Sequence, residues 1–146
     1  MQIISGQLIG DGKTPIDQIF FDSRLIVHPI NGIFFALSGN QKDGHSYITD
    51  AYNKGIRTFV VQHTLYQYND INQIIVDNPL NALQTWAHFH RQQFNIPIIG
   101  ITGSNGKTIV KEWLNQLLWK DFNITRSPKS YNSQFGTALS VLQLSD

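Results

Sequence analysis

From Ile19 onward, short apolar runs alternate with amphipathic stretches, the pattern that an α/β architecture leaves in a sequence. Apolar runs bounded by turn residues predict strands over 18–21, 32–37, 58–61, 73–76 and 98–102. Between the second and third of these, residues 46–54 read as a helix. Ile48, Ala51 and Tyr52 share one face, Ser46 can cap the start, and Gly55 stands where a left-handed residue ends a helix. A strand-helix-strand crossover is therefore expected early in the chain. Asn78-Pro79 announces a second helix, an N-cap side chain before a proline whose missing N–H costs nothing at the first helical position. Leu80, Leu83, Ala87 and Phe94 keep near one face of it, and Pro97 limits its length.

This pattern divides the chain. Residues 1–77 are expected to form a compact α/β module, 78–97 a connecting helix, and 98–146 the start of a second, sheet-based domain. About 50 residues are too few for a doubly wound nucleotide-binding fold, so that second domain is expected to be truncated.

Composition narrows the function classes. The 146 residues are 41% hydrophobic, with nine Phe, five Tyr and three Trp, which is enough apolar surface for a packed core and argues against disorder. Charged residues make up 14% and the net charge is +1, so binding to nucleic acid through phosphate neutralisation has no support. The absence of cysteine excludes a disulfide framework, thiolate metal sites and a cysteine nucleophile, and fits a reducing compartment. No apolar run approaches the roughly 18 residues of a membrane span, and the start lacks the basic region and cleavage site of a secretory signal. A cytoplasmic protein without a membrane or nucleic-acid partner is expected. The five histidines suggest no metal site: His88 and His90 are two apart on a predicted helix and face differently, and the others are scattered.

The chemistry is concentrated after the strand predicted at 98–102. Gly103-Ser104-Asn105-Gly106-Lys107-Thr108 follows it, and then Val110, Trp113, Leu114, Leu117 and Leu118 recur at helical spacing. Strand, glycine turn, Lys-Thr and helix, in that order, form the context of a phosphate-binding loop. Glycines let successive N–H groups point inward, and the helix start adds partial positive charge where phosphates would sit. Lys107 would reach the terminal phosphates, and the Thr108 hydroxyl would hold Mg²⁺. One departure is plain: the first glycine of the full pattern would fall at 101, which is Ile, with Gly100 and Gly103 flanking it. Trp113 and the leucines around it are expected in the core.

The run from Ile99 to Thr108 resembles the ATP-binding loop of the Mur ligase family, which builds the peptide stem of bacterial cell-wall precursors. Asp22-Ser23-Arg24, the run from Gly32 to Gly39, Asp43-Gly44-His45, and Ala51 to Gly55 before the strand at 58–61 resemble the N-terminal domain of members that add later stem residues. The dinucleotide-type glycine fingerprint of the members that act first is absent, and Gly10-Asp11-Gly12 alone is an ordinary turn signal. Folylpolyglutamate synthases share the ATP loop but lack this N-terminal module. Val110-Lys111-Glu112 and the run from Thr125 to Ser133 are similar to the branch whose substrates are UDP-N-acetylmuramoyl-tripeptide and D-alanyl-D-alanine. The second run is similar to the form of that branch fused to a C-terminal alanine racemase. The fold implied is a small Mur ligase α/β module followed by the truncated start of a P-loop ATP-binding domain.

By resemblance, Asp22, Ser23 and Arg24 lie at the site for the UDP part of the substrate, where arginine suits a diphosphate or a uracil carbonyl. Read from the residues alone, the same triplet is a polar turn closing a strand. His45 is implied as a further substrate contact, although Asp43-Gly44-His45 also reads as a plain turn before a helix. Gly103, Ser104, Asn105, Gly106, Lys107 and Thr108 are implied to hold ATP. Asn132 falls where the family places an asparagine near nucleotide and metal, and reads equally as a cap for a helix starting at Ser133. Ile109 replaces a second threonine common after the loop Lys-Thr, so an extra hydroxyl contact is lost.

The reaction implied is ATP-dependent amide-bond formation: a substrate carboxylate attacks the γ-phosphate, and the amine of D-alanyl-D-alanine displaces phosphate from the acyl phosphate. Lys107, Mg²⁺ and the loop amides would stabilise the transferring charge. The adenine-binding residues, a carboxylate metal ligand and the amine-binding domain are implied beyond Asp146, so the fragment is expected not to catalyse ligation. Two readings of other classes stand beside this one. The first is a UDP-sugar-binding or nucleotide-binding module without ligase activity. The second is a phosphate-loop kinase or GTPase, against which the N-terminal module argues.

Overall fold

Gly32–Phe35 (β3) and Thr58–Val61 (β4) are buried at every position, as befits strands in the middle of a parallel sheet. In the computed structural model, which describes residues 3–39, 43–128, 131 and 133–145, these two strands organise the first half of the chain. Gln18–Phe20 (β2) pairs parallel with β3, β3 with β4, and β4 with Asn72–Ile75 (β5), while Gln7–Ile9 (β1) closes the other edge antiparallel to β5. The order is β1-β5-β4-β3-β2. Four strands stand within two residues of their predicted positions. β1 was not predicted, because three residues with an irregular pattern carry no period of their own.

The crossover from β3 to β4 is the predicted helix, with its start rebuilt. A 3₁₀ turn over Gly44–Tyr47 leads into Ile48–Asn53 (α1), so Ser46 lies inside the turn and does not cap α1. The end is as predicted. Gly55 has φ 104° and donates its N–H to the Tyr52 carbonyl at 2.9 Å, and the Ile56 N–H reaches the Ala51 carbonyl at 3.1 Å. These two bonds are the Schellman pair that satisfies the last carbonyls of a helix, and they require a left-handed residue between them. Ile48 and Ala51 on the inner face join Phe34, Ala36, Ile56, Phe59 and Val61 in one apolar cluster.

Two buried amides hold loops to the sheet. Gln73 on β5 accepts the Leu65 N–H at 2.7 Å and donates to the Leu65 carbonyl at 3.3 Å, pairing a loop backbone as a neighbouring strand would. Asn72 accepts from the Gly12 N–H at 3.2 Å and donates to the Thr14 hydroxyl at 3.1 Å.

The chain falls into two compact units, Met1–Ala82 and Leu83–Asp146, and the division lies within Pro79–Arg91 (α2). The Asn78 side chain caps α2 as predicted, accepting from Leu80 and Asn81 at 2.9 and 3.1 Å. Past its end, Arg91 donates to the carbonyls of Phe94 and Ile96. The second unit also holds Lys107–Leu118 (α3) and Gln134–Val141 (α4). Residues 98–102, predicted as a strand, form none. No strand is present among the described residues of 83–145, and an extended segment without a neighbour has no ladder to join. Ile98 and Ile99 are accordingly exposed. The expectation that Trp113 and its leucines form core is also corrected: no residue of α3 is buried, and Trp113 and Leu117 are 63% and 73% exposed.

Truncating Gln73 to alanine leaves two backbone groups of buried Leu65 unpaired, so the variant should lose about 1–3 kcal/mol. Urea denaturation should show this as a lower midpoint with an unchanged slope.

Candidate functional site

The phosphate-loop motif lies in the second unit. The backbone bends at Ser104 and Asn105, and α3 begins at Lys107. Gly106 is the residue before the helix, left-handed at φ 76°, and Gly103 has φ 149°. Both conformations are strained for residues with a side chain, which is why the motif needs glycine at these points. A side chain at Gly106 would meet nothing within 4 Å, so conformation and not crowding dictates the residue.

Glycine also leaves the helix start uncapped. Gly106, the residue before the helix, makes no side-chain cap bond to the first N–H groups of α3, which have no partner within the helix and carry its positive dipole end. The Lys107 ammonium curls back over the loop to the Gly103 carbonyl, with the Ser104 carbonyl at 3.5 Å. Gly103, Lys107 and Thr108 line a cavity of about 1080 Å³ that lies wholly within this unit. Bent amide backbone, an open helix start and an ammonium beside a cavity can together receive an anion as large as a polyphosphate.

Lys111, which sequence reasoning passed over as a role-bearing residue, lines the same cavity. One turn after Lys107 on α3, it donates to the Ser127 carbonyl at 2.8 Å. Glu112 beside it pairs with Arg126. The two tie the segment after α3 to the helix that starts at the loop. Ser133 caps α4 by accepting the Gly136 N–H at 3.1 Å. Asn132 lies outside the described residues.

The other predicted residues lie in the first unit, at the carboxyl ends of the parallel strands, the edge where open α/β sheets bind ligands. Asp22-Ser23-Arg24 follows β2 as a 3₁₀ turn over Ser23–Leu25, with Asp22 as its cap. Asp22 and Arg24 pair with each other, and Ser23 turns inward. Arg24 is 75% exposed and grips Asp22 through Nε at 2.9 Å and Nη2 at 2.6 Å. Ser23 is buried, its hydroxyl on the Asp50 carboxylate and its carbonyl bonded by Lys54 Nζ at 2.9 Å.

His45 follows β3. Its Nε2 accepts the Gln62 N–H at 3.2 Å, which puts the ring proton on Nδ1, 2.8 Å from Asp43 Oδ1. The His63 ring stacks on it at 4.6 Å. The fold thus brings together two histidines that the sequence scatters. Among the described residues no group of three or more His, Asp or Glu side chains could hold a metal. Gln62 itself links neighbouring strand ends, accepting from Ser38 at 3.3 Å and donating to the Asp77 carbonyl at 3.0 Å. Its position directly after a predicted strand was the available signal.

The His45 backbone N–H, and after it the His45 ring and Ser38 hydroxyl, hold the Asp43 carboxyl down from 3.8 to about 2. A carboxyl depressed in the folded state adds stability above its unfolded value and loses it as pH falls toward the folded one. Melting temperature should therefore drop more steeply between pH 4 and 2 for the native chain than for Asp43→Asn, a difference that circular dichroism can follow.

No protein-family model matches the chain. Curated relatives do. The UDP-N-acetylmuramoyl-tripeptide–D-alanyl-D-alanine ligase of Synechocystis sp. is 36% identical over 131 residues, covering 89% of this chain and 28% of the relative. The ligase of that name from Rickettsia prowazekii is 39% identical, over 78% of this chain and 25% of the relative. Among solved structures, a crystal structure of MurF from Acinetobacter baumannii superposes with a TM-score of 0.88 at 25% identity, over 98% of this chain and 31% of that one. MurF ligase from Thermotoga maritima in complex with ADP gives 0.72 at 25% identity, over 92% of this chain and 30% of that one. The chain spans about three-tenths of the length of the relatives it matches. By sequence and by fold, then, it is a homologue of the Mur ligases that join D-alanyl-D-alanine to UDP-N-acetylmuramoyl-tripeptide.

Proposed function

We propose that this chain is part of an ATP-dependent ligase that adds D-alanyl-D-alanine to UDP-N-acetylmuramoyl-tripeptide in peptidoglycan synthesis. One observation carries the reading. In a chain homologous to these ligases, the glycine loop at 103–106 opens α3 without a cap, with Lys107 and Thr108 at a cavity. Homology alone would fit a chain that had lost the site, and the loop alone would fit many nucleotide-binding proteins.

The division of labour follows the two units. Residues 1–77 hold the UDP part of the substrate along the strand ends. Arg24 meets the diphosphate, while Asp22, Ser23 and His45 shape the edge from which it projects. Residues 78–97 connect, and 98–146 begin the ATP-binding domain. Gly103, Ser104, Asn105 and Gly106 present amides to the nucleotide phosphates. Lys107 leaves its loop carbonyls for the terminal phosphates, which offer the ammonium full negative charge in place of partial charge. Thr108 and Asn132 are the proposed neighbours of Mg²⁺, which when bound would offset the charge on the phosphoryl oxygens. Ile109 adds no hydroxyl, so Thr108 carries that contact without a second threonine. A following alanine racemase rests on the resemblance at 125–133 alone. A cytoplasmic location goes with the reading, since ATP and a UDP-linked precursor are both drawn from that compartment.

No helix among the described residues is long and apolar enough to cross a membrane, and the proposed partners are small molecules.

Thermal shift tests the assignment. A ligand at about 100 times its dissociation constant adds roughly 2.7 kcal/mol, on the order of 5 to 15 °C for a chain this size. Mg-ATP should raise the melting temperature of the native chain and leave Lys107→Met unmoved. UDP-N-acetylmuramoyl-tripeptide should act through Arg24 and be unaffected by Lys107→Met. Stabilisation by the UDP compound with none by Mg-ATP would favour a binding module without ligase chemistry, and a response to guanine nucleotides alone would remove the ligase reading.

A further inference from the structure

The Asp22-Ser23-Arg24 turn is short and follows a strand at the edge of the sheet. Within the turn, Leu25 N–H reaches the Asp22 carbonyl at 3.1 Å and Ile26 N–H the Ser23 carbonyl at 3.3 Å, and the Asp22 carboxylate takes the Arg24 N–H at 3.0 Å and its guanidinium Nε at 2.9 Å. These bonds hold Arg24 to Asp22 and lie within the turn itself. Two residues of α1 tie the turn to another element. Lys54, the C-cap residue of α1, reaches 31 residues back to the Ser23 carbonyl at 2.9 Å. Asp50, one helical turn earlier on the same face, takes the Ser23 hydroxyl and lies 3.3 Å from Lys54 Nζ. Ser23 is thereby held at both its hydroxyl and its carbonyl by one helix.

We infer that Asp50 and Lys54 are positioning residues for the UDP-binding turn, acting through Ser23 to fix the direction in which Arg24 is presented. The inference rests on the proposed role of Arg24 and extends it to two residues that need not touch the ligand. The chemistry supports a specific arrangement over general surface charge. An exposed i,i+4 pair alone contributes little to a helix, and its partners gain nothing from reaching another element. Here the ammonium spans to a carbonyl beside a buried hydroxyl, and the helix carrying it is locked in register by the Gly55 turn. The Ser23 hydroxyl is the largest influence holding the Asp50 carboxyl below its ordinary value, which marks that bond as made to the charged form.

The same chain, titrated calorimetrically with UDP-N-acetylmuramoyl-tripeptide, provides the test. Lys54→Met should weaken binding about tenfold, the net worth of one charge-assisted hydrogen bond, while Lys54→Arg restores most of it. Amide exchange at Leu25 and Ile26 should quicken in Lys54→Met while the core strands β3 and β4 keep their protection, a pattern that general destabilisation does not produce. If Lys54→Met fails to fold, Asp50→Ala carries the same comparison. Binding that disappears in Arg24→Ala but is unchanged in Lys54→Met and Asp50→Ala would overturn this inference alone. A native chain that does not bind, or an Arg24→Ala variant that binds as the native does, would overturn the role of Arg24 and this inference with it.

Discussion

A backbone group taken out of water must find a partner inside the protein, because an unpaired one costs as much as the hydrogen bond it lacks. The first unit meets this requirement along its whole sheet. β2 to β5 ladder in register, Gln73 extends the ladder to a loop, and the Gly55 turn completes the carbonyls of α1. In the second unit the same requirement acts the other way. Residues 98–102 have the apolar character of a strand but no described strand beside them, so their backbone remains where water can reach it.

The difference bears on function. A ligand edge works when its groups are fixed before the ligand arrives, and the strand ends of the first unit are fixed by side chains that cross between elements. Gln62 links the regions after β3, β4 and β5, His45 is clamped between Asp43 and the Gln62 backbone, and Ser23 is held by α1. Arg24 projects from this frame while its neighbours are consumed in building it. The phosphate loop needs less support from elsewhere, since two left-handed glycines and the start of one helix create its geometry locally.

In the second unit no residue of α3 is buried. Trp113 and Leu117 lie at helical spacing on one stripe of it, and both are exposed. Leu114 and Leu118 face the cavity, which leaves the opposite stripe in water within the described residues.

What the amino-acid sequence determined by itself is what short-range stereochemistry controls. Asn78-Pro79 begins a helix because an amide side chain and a ring without an N–H suit its first turn wherever it lies. Gly55 ends one, and Gly103 and Gly106 bend a loop, because left-handed backbone is open to glycine. The strand at 98–102 was overread because apolar character measures readiness to pair and says nothing about whether a partner stands alongside. Tertiary structure decided the rest: the antiparallel β1, the stacking of His45 on His63, the clasp of Gln73 on Leu65, and the reach of Lys54 to Ser23. Each depends on register and on contacts between residues distant in the chain, and no local pattern encodes such a contact until the sheet has brought its two ends together.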